Sequence, residues 1–210
     1  MARAKPFKLM MNLTPQFMSH VNIYSVAPGI WPAIRKGLLR ERGPVCEICG
    51  FVAQERRLID AHEKFKYLAN SVRLIGIQLL CKRCHDCTHF DHLLRLETAG
   101  IGGQGRGELI VEHFCSINEC SRTAFDEHYA ASQLRRFELQ ERFGANISLK
   151  QVRWGPYQEK VATSLARGEQ RRLRLKEELE DEWDEQFWEP LPGHELVFTP
   201  AGELYGHRGP

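Results

Sequence analysis

Two C-x-x-C pairs, Cys46 with Cys49 and Cys81 with Cys84, stand thirty-one residues apart and constrain this chain more than any other feature. The backbone turn of each knuckle aims both sulfurs at one point, so the two together close a tetrahedral thiolate shell around a single Zn²⁺. Such an ion replaces a large hydrophobic core. Binding a structural zinc is worth about 10–16 kcal/mol in zinc-finger peptides, against about 5–15 kcal/mol for the stability of a typical domain. The insert exceeds the roughly 15–20 residues of a plain zinc ribbon. It contains His62, and the second knuckle runs straight into His85 and His89. The spacing predicts a zinc-built scaffold that holds something besides its own knuckles.

A chain of 210 residues with 42% hydrophobic composition suits one medium domain, or a small core with appendages. No run approaches eighteen consecutive apolar residues, and Met1 to Met11 carries basic residues without an apolar leader core or a cleavage site. The expectation is a cytoplasmic protein with no membrane partner. Seven cysteines, an odd number with four in metal spacing, fit a reducing compartment better than a disulfide framework. Cys87, Cys115 and Cys120 are then expected as free, buried thiols.

The net charge of +2 is unevenly spread. Between residues 33 and 95 twelve Lys/Arg face seven acids, whereas between 168 and 189 four basic residues face nine acids. The cysteine-bearing segment is thus the part suited to a polyanion, because neutralising phosphates releases condensed counterions.

Five stretches are expected along the chain. Residues 1–43 read as an arm, with a short lead-in helix over Trp31–Arg40 that ends by Gly43-Pro44. Residues 44–99 hold the metal core, with strands over Phe51–Ala61 and Val72–Leu80 joined by 63–71, then one helix over Cys84–Glu97. That helix places His85, His89 and His92 on one face. Five glycines in residues 100–107 predict a linker, the clearest boundary in the chain. Residues 108–166 read as a helical region, with helices over 107–119 and 123–143, the second opened by Thr123-Ala-Phe-Asp126 and closed at Gly144. Residues 167–210 read as a charged helix over 168–188, with an apolar stripe at Leu175, Leu179, Trp183 and Phe187, followed by a hairpin. The acidic helix is open to three readings, an interaction arm for a protein partner, a cover over the basic face that limits DNA access, or a helix packed on its own domain.

A histidine on a hairpin and two more on the following helix match what one-metal hydrolysis of a phosphodiester requires. A base activates water on one side of the phosphorus, and a cation stabilises charge on the other. Asp60-Ala-His62-Glu63, Gly76-Ile-Gln-Leu-Leu-Cys81-Lys-Arg-Cys84-His85 and His89 resemble the HNH endonucleases, the ββα-metal (His-Me finger) nucleases of bacteria and phages. The resemblance spans roughly residues 44–92. It implies a ββα-metal finger core in a bacterial or phage-infected cell, and with the helical appendage and C-terminal hairpin read from the pattern the expected fold is α+β.

By that resemblance His62 is the general base, and His85 and His89 hold the catalytic divalent cation, Mg²⁺, Mn²⁺, Ni²⁺ or Zn²⁺. Cys46, Cys49, Cys81 and Cys84 hold the structural Zn²⁺. Ala61 stands where the family often has a ligand, a role open to Asp60 or Glu63. Gly76 stands where it has an asparagine that orients the base, a role open to Gln78 or Asn70. DNA is the expected partner, contacted by Arg57, Lys64, Lys66, Lys82 and Arg83, with Lys64-Phe65-Lys66-Tyr67 alternating charge and aromatic rings as phosphate and base contacts do. The expected activity is metal-dependent cleavage or nicking of DNA. The alternative is a catalytically weak zinc module that binds nucleic acid or protein.

Overall fold

Residues 59–81 form the hairpin on which the site is built. The computed structural model describes residues 6–101, 103–144 and 147–182 and two strands at 195–198 and 204–208, with side chains through residue 171. Strand β1 (Ile59–Tyr67) pairs antiparallel with β2 (Val72–Cys81), His62 opposite Gln78, with a bulge between Lys64 and Phe65. In β2, Val72 and Leu74 are buried and Arg73 and Ile75 exposed, the period-two pattern of a half-buried strand. From Leu79 to Cys81 every residue is buried, because the strand end is covered on both sides. A two-residue strand, β3 (Val152–Arg153), adds parallel to the start of β2.

The first strand lies eight residues later than the sequence predicts. Phe51 and Val52 are 47% and 66% exposed, and only an isolated bridge joins Val45 to Val52. The Cys46 N–H donates to Phe51 O and the Gly50 N–H to Cys46 O, so these residues are spent on the knuckle turn. The hairpin connection shrinks accordingly to residues 68–71, closed by the Leu68 N–H donating to Ser71 O.

The expected single helix over 84–97 is two, α3 (Lys82–Thr88) and α4 (Phe90–Thr98), broken at His89 with φ −106° and ψ 40°. Its cause lies in the arm. The Asn12 N–H donates to Thr88 O, the carbonyl that an unbroken helix would offer to His92, and the His92 N–H turns to His89 O instead. His92 is exposed and leaves the face shared by His85 and His89.

The arm supplies a large share of the core. Leu9, Met11, Leu13, Phe17, Met18, Val21 and Ile23 are buried, the last at the start of α1 (Ile23–Val26). Trp154 is 3% exposed and donates its indole N–H to Val21 O. The lead-in helix α2 (Trp31–Arg42) starts with a proline in its first turn and stops at Gly43, whose φ of +75° favours glycine.

The glycine-rich stretch is a tight turn within one unit, not a boundary. Gly100, Gly103 and Gly105 have φ between +73° and +88°, and Glu97 accepts the N–H groups of Gly105 and Gly107. A Cβ on Gly107 would lie 3.0 Å from Leu94 and Glu97, so glycine lets α5 (Arg106–Asn118) pack back on α4. Helix α6 (Arg122–Phe143) is capped by Ser121, two residues before the expected start, and closed at Gly144 as expected.

Two compact units result, residues 1–165 and 166–210. Helix α7 (Gln158–Glu182) begins ten residues before the expected charged helix, and its Val161 is fully buried in the first unit. The stripe at Leu175, Leu179, Trp183 and Phe187 lies outside the residues whose side chains are described. In the second unit β4 (Glu195–Phe198) and β5 (Leu204–Arg208) form the expected antiparallel hairpin. The whole is mixed α+β. No helix among the described residues is long and apolar enough to cross a membrane.

Candidate metal centres

The four knuckle sulfurs converge, each within 4.8 Å of the others. Cys49 Sγ lies 3.6 Å from Cys81 Sγ, far beyond a disulfide bond and close to the roughly 3.8 Å between corners of a tetrahedron with Zn–S near 2.3 Å. Cys46, Cys81 and Cys84 are buried and Cys49 half-buried. By themselves the thiols of Cys46, Cys81 and Cys84 compete over one negative charge. Hydrogen bonds from Cys81 and Cys84 hold Cys46 well below a thiol's ordinary range, and the same contact with Cys46 pushes Cys81 up to about 11 and raises Cys84. A dication at the centre removes that conflict, because it favours thiolate at all four positions. The donor set therefore fits a structural metal such as zinc, and its four sulfurs complete the shell.

His113 adjoins this cluster. From α5, its Nε2 lies 3.2 Å from Cys84 Sγ. Cys87 is buried as expected, whereas Cys115 and Cys120 are only half-buried.

A second cluster gathers His62 from β1, His85 from α3 and His89 from the break between α3 and α4. His62 Nδ1 and His89 Nε2 are 3.1 Å apart, near the roughly 3.3 Å expected of two imidazole nitrogens on one tetrahedral ion. The far nitrogens of the other two rings are held from behind. His85 Nδ1 is 3.3 Å from Asp60 Oδ2, and His89 Nδ1 is 3.3 Å from Thr14 Oγ1. This leaves the Nε2 atom of each of these rings free to face the cluster centre. Carboxylate or hydroxyl behind imidazole is the usual way such rings are oriented toward an ion.

Burial keeps His62 and His89 neutral. Desolvation first, then the nearby His89 and His85, holds His62 well below the ordinary histidine value at 6% exposure. Desolvation, followed by His85, pushes His89 down to about 3. The hydrogen bond with His85 holds the Asp60 carboxyl below its usual range.

The histidines form part of the wall of a pocket of about 370 Å³, whose other lining includes Tyr24, Trp31, Arg35, Glu63 and Phe65. Glu63 is largely buried and accepts the Ile23 N–H at 2.8 Å; burial pushes its carboxyl up to about 7.

Several expected site residues stand elsewhere than foreseen. Asp60 backs His85 and is not among the three converging ligands. Gln78 is the cross-strand partner of His62 but does not line the pocket, and Gly76 sits opposite Lys64. Asn70 lies in the hairpin turn, its carbonyl taken by Gln151. Of the expected DNA contacts, Lys64, Lys66 and Arg83 are exposed, while Arg57 is paired with Glu55 and Lys82 with Asp86. The sequence reading missed Thr14, because nothing in the arm's composition links it to a histidine seventy-five residues away.

Comparison with protein-family models, with curated proteins and with solved structures finds no match to this chain.

Proposed function

We propose that this chain is a metal-dependent phosphodiesterase of the HNH type that cleaves or nicks DNA, with a ββα-metal core held by a structural zinc. The observation that carries the reading is the convergence of three imidazoles, from a hairpin and the helices after it, on the wall of an open pocket. Three nitrogen donors satisfy part of a divalent ion's shell and leave positions for substrate, the pattern of catalytic as opposed to structural sites. An ion held there supplies Lewis acidity toward a phosphodiester oxygen. Three imidazoles favour Zn²⁺, Ni²⁺ or Mn²⁺ over Mg²⁺.

His62 takes the part of third ligand in this reading, not of a base facing the ion across the phosphate. At 3.1 Å its Nδ1 is too close to His89 Nε2 for a phosphate group to stand between them. Proton uptake then falls to Glu63, which lines the same pocket and titrates near neutrality, where a general base works best. Asp60 and Thr14 keep His85 and His89 turned inward. The positive charges of Lys64 and Lys82 reach the histidines and suit an anionic substrate.

Plasmid nicking with Zn²⁺, Ni²⁺, Mn²⁺ or Mg²⁺ added, combined with bound-metal analysis, tests the reading. Wild type is expected to nick and to carry two metal equivalents, while His62→Ala loses nicking and one equivalent with the fold retained. Loss of nicking with both equivalents kept would return His62 to the role of base. A wild type that cuts nothing with any of these ions would leave the zinc module that binds nucleic acid or protein.

A further inference from the structure

We infer that the pocket in front of the three histidines holds one unpaired nucleotide beside the phosphodiester to be cut, so that the substrate is single-stranded or base-extruded nucleic acid and not a continuous duplex. The inference rests on the phosphodiesterase reading and narrows its substrate class. At about 370 Å³ the pocket is near the small end of the roughly 300–1,000 Å³ range of ligand sites, a space for one nucleotide-sized group and not for a double helix.

Its walls have the chemistry of a base-stacking site. Tyr24 and Trp31 come from the arm and Phe65 from β1, so aromatic rings approach from two separate parts of the chain. Tyr24 is 63% exposed. A ring that open to water, on the wall of a pocket also lined by Trp31 and Phe65, offers a π-face that any nucleobase can cover. Within a duplex both faces of every base are already stacked, so only an extruded or unpaired base can use these rings.

Polar groups in the pocket divide into committed and free. The Asn22 amide is spent capping α1, accepting from the Ser25 N–H and donating to Met18 O and Ser19 O. Arg35 commits its Nη2 to the carbonyls of Arg56 and Ile59. Asn12 is half-buried, lines the pocket and makes no side-chain hydrogen bond among the described residues. Its amide presents a donor and an acceptor side by side, the pattern that pairs with the edge of a base. The histidines on the same wall and Lys64 next to Phe65 place the anionic end of a nucleotide toward the metal cluster.

The full chain, loaded with Zn²⁺ and Mn²⁺, is given three oligonucleotides of one sequence with 2-aminopurine at the centre: single-stranded, fully paired, and paired around a one-nucleotide bulge. The single strand and the bulge are expected to be cut with at least tenfold higher kcat/KM than the duplex, and their 2-aminopurine emission to be quenched on binding. Tyr24→Ala, at an exposed position that does not endanger folding, and Asn12→Ala should lower that preference, the first by roughly tenfold. A duplex cut as fast as the single strand overturns the proposal and leaves the phosphodiesterase reading standing. If wild type cuts none of the three, that reading falls, and quenching alone decides: quenched emission upholds a nucleotide pocket, and unquenched emission overturns it.

Discussion

The two side-chain clusters both draw on the hairpin and on α3, yet they differ in what they leave free. The thiol cluster is a closed set of four soft donors, three of them buried. The imidazole cluster has three donors and opens on a cavity. A full shell stabilises a fold; an incomplete one can do chemistry. The clusters also differ in what supports them: a sulfur contact from His113 on one side, Asp60 and Thr14 on the other.

If the thiol cluster is the scaffold, Cys81→Ser should have the largest effect of any single change. Loss of a structural zinc worth about 10–16 kcal/mol exceeds the stability of most domains, so circular dichroism should show loss of the helix and strand signal of the first unit, residues 1–165, as it should on chelation of wild type. A variant that melts like wild type would erase the contrast between the clusters.

A smaller effect, confined to catalysis, is expected at Glu63. Its carboxyl titrates at about 7, and the base is the ionised form, so the rate should rise as pH increases through 7 and fall below it. Glu63→Gln should cost about 10²–10⁴-fold in kcat and remove that limb of the pH profile while both metals stay bound. An unchanged pH profile would take Glu63 out of the mechanism.

The smallest effect belongs to Asp60. Asp60→Asn keeps the shape but weakens the hold on His85 Nδ1, and about 10–100-fold should be lost in affinity for the second metal alone. Calorimetric titration should show the zinc equivalent untouched. Equal weakening at both metals would mean the clusters are coupled and the contrast too sharp.

Much of the scaffold was legible because it depends on local spacing. A C-x-x-C knuckle needs only its own turn, and the run Val72–Leu80 forms a strand wherever its apolar face finds cover. The end of α2 at Gly43 and of α6 at Gly144 follows from glycine at positive φ. Errors arose where distant residues intervene. The helix break at His89 depends on the Asn12 N–H reaching Thr88 O, and Gly107 is explained only by the close approach of α5 to α4.

The sequence by itself determined that four thiols would gather, that His85 and His89 would share a neighbourhood one helical turn apart, and that a hairpin would carry His62. Spacing along the backbone suffices for each of these. Only the tertiary structure decided that His62 joins the other two histidines at 3.1 Å from His89, that Asp60 stands behind His85, and that the arm supplies Thr14 and two aromatic walls of the pocket. The physical reason is burial: the arm's apolar residues leave water by joining the core against the hairpin, α5 and α6, and that docking brings Thr14, Tyr24 and Trp31 to the histidines.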